Sequence, residues 1–223
     1  MNVRRTLGVL FVGLLGAGTA FAQDPVKVDP AHYKVILDNP TVRVLKISYP
    51  AGSKSVMHQH PDAIVVALAP AKVRFGMPDG TSQDSDMVNN GAMYTPAGKH
   101  LPNNVGTNAV DAILVEFKAP KPGTATVPTS RPNMAVKTLA DGPYGTAILS
   151  TADPTFHEAA GTKHDYDQVV IALEDSAISL SLDGKAPKTS WKRGDVQFIG
   201  RGTPHESKNL GSKPVEFVIV AIK

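Results

Sequence analysis

The stretch GSKSVMHQHPDAIVVAL, Gly52 to Leu68, sets two histidines two residues apart immediately before an unbroken apolar run. Successive side chains of a strand point to opposite faces, so His58 and His60 project from one face, with ring nitrogens able to reach a common point. A metal ion needs that geometry, and two ordinary polar residues at a strand entrance also produce it. The apolar run behind them has the length and β-branched content of a buried strand. The choice between the two readings depends on what the rest of the chain brings to the same place.

Outward from this stretch, short apolar runs recur: YKVILD, VRVLKISY, KVRFGM, MYTPA and DAILVEF, separated by turn signals such as DNP, YPAG, MPDG, NNG and VGTN. No segment carries the periodicity of a long amphipathic helix, and 18 Pro and 19 Gly suit a chain of strands and turns. Evenly spaced short strands predict an all-β sandwich or barrel.

From Lys118 to Asn133 the text changes to KAPKPGTATVPTSRPN, a linker composition. The earlier pattern then restarts. Laying DAIVVALAPAKVRFGMPDG over DQVVIALEDSAISLSLDG puts Asp62 on Asp167, Val65 on Val170 and Leu68 on Leu173, and the same offset relates His100 to His205 and Asn104 to Asn209. The sequence therefore reads as a tandem duplication, with a first unit at residues 27–119, a linker at 120–133 and a second unit at 134–223.

The first residues, MNVRRTLGVLFVGLLGAGTAFAQ, have a basic start, an apolar middle and small residues at Ala20 and Ala22, the pattern of a cleaved export signal over residues 1–22. Its apolar part is too short and too rich in Gly and Ala for a comfortable membrane span; an uncleaved N-terminal anchor is the alternative. The expectation is a periplasmic or secreted protein with no membrane association after cleavage. Loss of Arg4 and Arg5 lowers the formal charge from +3 to about +1, too small an excess to mark a nucleic-acid or polybasic membrane footprint. The absence of Cys excludes thiol catalysis and cysteine metal ligation and leaves stability to the core.

The residues now assembled resemble the cupin superfamily, specifically secreted bicupins. The family's first motif, Gly, five residues, then H-x-H, stands as Gly52, SKSVM, His58-Gln59-His60; the second stands in GAMYTPAGKHLPNN as Gly91, Pro96, Gly98, His100 and Asn104. In the second unit GDVQFIGRGTPHESKN supplies Gly194, Gly200, Gly202, His205 and Asn209, with Gly where the family usually has Pro. The resemblance covers nearly all of the chain after the leader and implies two tandem jelly-roll β-barrels, the first holding a metal through His58, His60 and His100.

Two departures matter. The family's Glu a few residues after H-x-H falls here among Ala63, Ile64 and Val65, so that ligand is missing; Asp62 is the nearby carboxylate, either a fourth ligand or a turn acid. In the second unit the repeat offset places Lys163 opposite His58 and Asp165 opposite His60, so the site is expected to be degenerate. A one-residue slip at a bulge would instead bring in His164 and Tyr166, and His157 with Glu158 lies close upstream. The candidates there are His164 and His205. Asn104 fits either a turn or a place supporting the ligands, while Tyr94 and Lys99 read as wall and solvent residues.

A three-imidazole site favours Fe, Mn, Zn, Ni or Cu over Ca or Mg; the resemblance, which includes iron-dependent thiol and diketone dioxygenases, tips the choice slightly to Fe. Three classes of function stay open: a metal-dependent, oxygenase-type enzyme acting on a small chelating substrate, a non-catalytic binding protein for a metal or small ligand, and an interaction scaffold. Both a monomer and a homodimer are compatible with the sequence.

Overall fold

The computed structural model describes residues 23–118 and 127–223; the expected leader, residues 1–22, and residues 119–126 of the Pro- and Thr-rich stretch lie outside the described residues. The first barrel comprises β1 (Tyr33–Asp38), β2 (Val42–Tyr49), β3 (His58–His60), β4 (Ala63–Ala67), β5 (Ala71–Gly76), β6 (Ser82–Met87), β7 (Ala92–Thr95), β8 (Gly98–Asn104) and β9 (Val110–Phe117). The second comprises β10 (Met134–Asp141), β11 (Gly145–Ala152), β12 (His157–Thr162), β13 (Asp167–Ala172), β14 (Ile178–Leu182), β15 (Val196–Ile199), β16 (His205–Asn209) and β17 (Val215–Ile222). In the first barrel a sheet ordered β1-β2-β9-β4-β7 faces one ordered β3-β8-β5-β6; in the second, β10-β11-β17-β13-β15 faces β12-β16-β14. Every named pairing is antiparallel, as short turns between successive strands require.

The apolar runs are continuous because the two larger sheets are buried on both faces. Along β2, Leu45, Ile47 and Tyr49 face the barrel interior while Val42 and Val44 face the second unit; along β9, Ala112 and Leu114 face inward while Ile113, Val115 and Phe117 face outward. The outward residues share one core with Ala147, Val169, Ile171, Val218 and Val220 of the second barrel. Each fully buried aliphatic side chain of this kind contributes about 1.5–3 kcal/mol, so the contact between barrels is part of the fold and not an adhesion of two finished surfaces. A third cluster, with Trp191, Phe156 and Leu180, fills the second barrel.

Close approach of the barrels depends on glycine. A Cβ on Gly142 would stand 2.1 Å from the Tyr94 ring, and one on Gly145 would stand 2.6 Å from Phe117. The duplication is written in hydrogen bonds as well as in sequence. Asn104 Nδ2 donates to the carbonyls of Tyr49, Pro50 and Asn108, and its Oδ1 accepts from Gly106 N–H. Asn209 repeats the pattern on Ala152, Asp153, Lys213 and Gly211. Of the two roles open to Asn104, the structure gives it that of a turn clamp, with its amide engaged by backbone.

Candidate metal centres

In the first barrel β3 and β8 pair with His58 directly opposite His100 and His60 opposite Gly98. Opposed residues of an antiparallel pair hold their Cβ atoms within about 5.5 Å, which brings the second-motif histidine back beside the first two. The turn before β3 uses Gly52 at φ +73°, a left-handed conformation that glycine adopts without cost. Ring centroids are 5.0 Å apart for His58 and His100, 4.7 Å for His60 and His100, and 6.5 Å for His58 and His60.

Two of the rings have assignable tautomers. His58 Nδ1 lies 2.9 Å from the Val56 carbonyl and His60 Nδ1 lies 2.8 Å from that of Pro61. A carbonyl only accepts, so each Nδ1 carries a proton, and in the neutral form of either ring Nε2 is the atom with the lone pair. Burial pushes His100 down to about 3, helped by the neighbouring His60 and His58, and burial also lowers His58. Neutral imidazoles tethered through Nδ1 suit a transition metal. One partner stands in the way: Tyr33 Oη, from β1, lies 3.0 Å from His58 Nε2 and donates to its lone pair. Burial, with Tyr49 alongside, holds the Tyr33 phenol well above its ordinary value, so it keeps that proton.

Asp62 accepts a hydrogen bond from Tyr94 Oη at 2.8 Å, which gives the sequence's fourth-ligand candidate a structural partner. Lys99 is exposed at the rim. His60 and His100 line one end of a cavity of about 360 Å³ whose walls come from both sheets of the barrel.

The second barrel holds a different constellation. The β12–β16 ladder shifts register between Glu158 and Thr162, so Thr162, not Lys163, stands opposite His205. The slip puts His164 at the place of His60. Glu158, upstream of the bulge and opposite Ser207, supplies the third donor, while His157 turns outward to Glu206. Among the described residues, Glu158, His164 and His205 form the group of His and acidic side chains whose donor atoms all lie within 4.8 Å of one another. His164 Nε2 is 3.4 Å and His205 Nε2 is 3.3 Å from the carboxylate oxygens, yet neither has an aligned hydrogen-bond partner among the described residues. The degeneracy expected from the lost H-x-H thus applies to the motif, and a three-donor set stands in its place.

Charge around Glu158 is compensated from several sides. Arg131 Nη1 lies 3.2 Å from Oε1, and Ser207 Oγ donates to Oε2 at 3.1 Å. Burial acts against ionising Glu158, but the close approach of His164 and His205 and the charge of Arg131 outweigh it and hold the carboxyl well below its ordinary range. His205 Nδ1 donates to the Thr203 carbonyl at 3.0 Å, so a neutral ring would turn a lone pair toward the carboxylate. A cation, proton or metal, relieves that opposition; in the metal-free protein Glu158 overcomes the effect of burial and raises His205. The cavity here is about 40 Å³, space for water or a hydrated ion but for no organic molecule.

The sequence carries no local signal for Tyr33 or Arg131, because each reaches its partner through sheet closure. Glu158 was within reach only through the bulge.

No family model matches the chain, and no curated protein is similar to it in sequence. Solved structures are similar in fold. AerE from Microcystis aeruginosa superposes with a TM-score of 0.66 at 11% identity, covering 86% of this chain and 97% of its own. Salicylate 1,2-dioxygenase from Pseudoaminobacter salicylatoxidans, in adducts with gentisate, gives 0.61 at 12% identity over 83% of this chain and 70% of its own. A cupin 2 conserved barrel domain protein from Leptotrichia buccalis gives 0.55 at 13% identity over 86% and 88%. With two antiparallel barrels, a repeated asparagine clamp and these likenesses across both units, the chain has the cupin fold in its tandem, two-barrel form.

Proposed function

We propose that this protein is an exported, metal-dependent cupin that holds one divalent transition ion on His58, His60 and His100 of the first barrel and uses it to bind a small chelating molecule. The observation that carries this reading is the grouping of three imidazoles, ring centroids 4.7–6.5 Å apart, of which His60 and His100 line one end of a cavity of about 360 Å³. Bound there, the ion supplies a Lewis acid with open coordination positions, the requirement for activating a chelating substrate or dioxygen. The chain supplies Nδ1 tethers that orient His58 and His60, a largely apolar chamber, and Lys99 at the rim. The fold of salicylate 1,2-dioxygenase supports an oxygenase-type activity as the first to assay.

A second reading, capture of a ligand without turnover, has one observation in its favour: the described cavity lining has no carboxylate, so acid–base chemistry would fall to tyrosine, histidine and Lys99.

The test is elemental analysis of wild type, His60→Ala, His100→Ala and Glu158→Gln, purified without chelator or nickel resin. A stoichiometric metal lost in the two histidine variants and kept in Glu158→Gln supports the proposal. Loss in Glu158→Gln alone moves the centre to the second barrel, and no metal in any of them after metal is offered back overturns the reading. Oxygen uptake by the loaded protein with small chelating substrates then separates enzyme from carrier.

A further inference from the structure

We infer that the ligand of the first barrel is a compact, predominantly apolar molecule with a polar or chelating head, and that phosphorylated and polycarboxylate compounds are excluded. The inference rests on the metal reading only for where the head binds; the apolar body follows from the chamber itself. Its wall is built by Val65, Val73, Phe75, Met87, Met93 and Leu114, from β4, β5, β6, β7 and β9. The described lining contains no arginine and no carboxylate, and its one cation, Lys99, is exposed at the rim. A buried charge without a partner is costly, so a molecule carrying several charges has nothing to meet it inside.

The volume agrees. About 360 Å³ lies at the lower end of the range for organic ligands, roughly 300–1,000 Å³. Three methionines on the lining, Met77, Met87 and Met93, give the wall a polarizable, adaptable surface suited to an irregular apolar body. The polar side chains Gln83, Ser85 and Thr95 on the lining are neutral, so they can meet a polar head without requiring a charged one. The second barrel, with a space of only about 40 Å³ and with Arg131 and Glu158 in its lining, has no room for such a body.

The experiment titrates the full protein, metal-free and labelled on methionine methyl groups, with n-alkanols from propanol to octanol, and reads shifts at Met87 and Met93 by NMR. Affinity is expected to rise about fourfold per added methylene until the chamber is full, with Met134 of the second barrel unmoved. Val73→Phe should shorten the longest alkanol accepted, and Met93→Gln should flatten the dependence while leaving the fold intact. Affinity independent of chain length, or shifts confined to Met134, overturns the inference. A parallel titration of metal-loaded protein with n-alkyl hydroxamates separates the two proposals. Chain-length dependence without any gain from metal removes the metal-held head and leaves the apolar class standing; metal-dependent binding without chain-length dependence does the reverse.

Discussion

Tyr33 and His58 form the pair on which the first centre turns. The phenol donates into the lone pair that a metal would use, so metal binding must first break a hydrogen bond of about 1 kcal/mol net. If Tyr33 only competes, Tyr33→Phe should tighten metal binding about fivefold, measured by competition with a chelating dye; weaker binding would instead make the phenol oxygen a ligand. His100 determines an acid response. Burial, then His60 and His58, hold it at about 3 in the folded, metal-free protein, against about 6.5 in the unfolded chain. Between those values the unfolded state binds more protons, so stability rises with pH across the window and is lost as pH falls through it. His58 is displaced in the same direction. Glu158, lowered in the fold, adds a loss that sets in as pH drops below the ordinary glutamate range. His100→Gln should therefore flatten the slope of urea-unfolding stability between about 4 and 6.5; an unchanged slope would remove His100 as its source.

Elements are joined by clamps and close approaches that single substitutions can probe. Asn104 and Asn209 each bind three backbone carbonyls and one N–H in matching turns. Deleting either amide leaves buried backbone acceptors unpaired, at about 1–3 kcal/mol for each group left unsatisfied. Gly145 lets β11 pass against Phe117; Gly145→Ala introduces a Cβ that would lie 2.6 Å from that ring and 3.1 Å from the Ala221 carbonyl. Overpacking of this kind costs about 1–3 kcal/mol, to be read as a lower urea midpoint, and an unshifted midpoint would mean that the ring yields freely. At the same scale the irregularity between Glu158 and Thr162 exchanges one candidate donor set for another: two extra residues in β12 relative to β16 set Glu158 and His164 on either side of it, beside His205.

For the whole molecule, the shared core is decisive. Ile113 and Val115 of the first barrel pack in one cluster with Val169, Ile171 and Val218 of the second, so neither larger sheet has a finished surface without the other. Ile113→Ala should cost about 2–5 kcal/mol and should lower the unfolding midpoint followed by Trp191, the chain's one tryptophan, which lies in the second barrel. If the Trp191 transition stays in place while the far-UV signal of the first barrel shifts, the barrels unfold independently.

The sequence by itself determined the all-β class and the repeat, and it named the three histidines of the first barrel. Strand alternation, turn glycines and the paired Asn104 and Asn209 act over a few residues, so their signals survive in the linear text. The tertiary structure alone decided what meets those residues. Tyr33 lies far from His58 along the chain, Arg131 stands in the connection before β10, and both arrive only when the sheets close. The slip in β12 reflects a balance of local pairing that a fixed repeat offset cannot express. The difference between a chamber of about 360 Å³ and one of about 40 Å³ comes from how inward side chains of many strands fill each barrel. Packing is a sum over the whole closed structure, and no single stretch of sequence contains it.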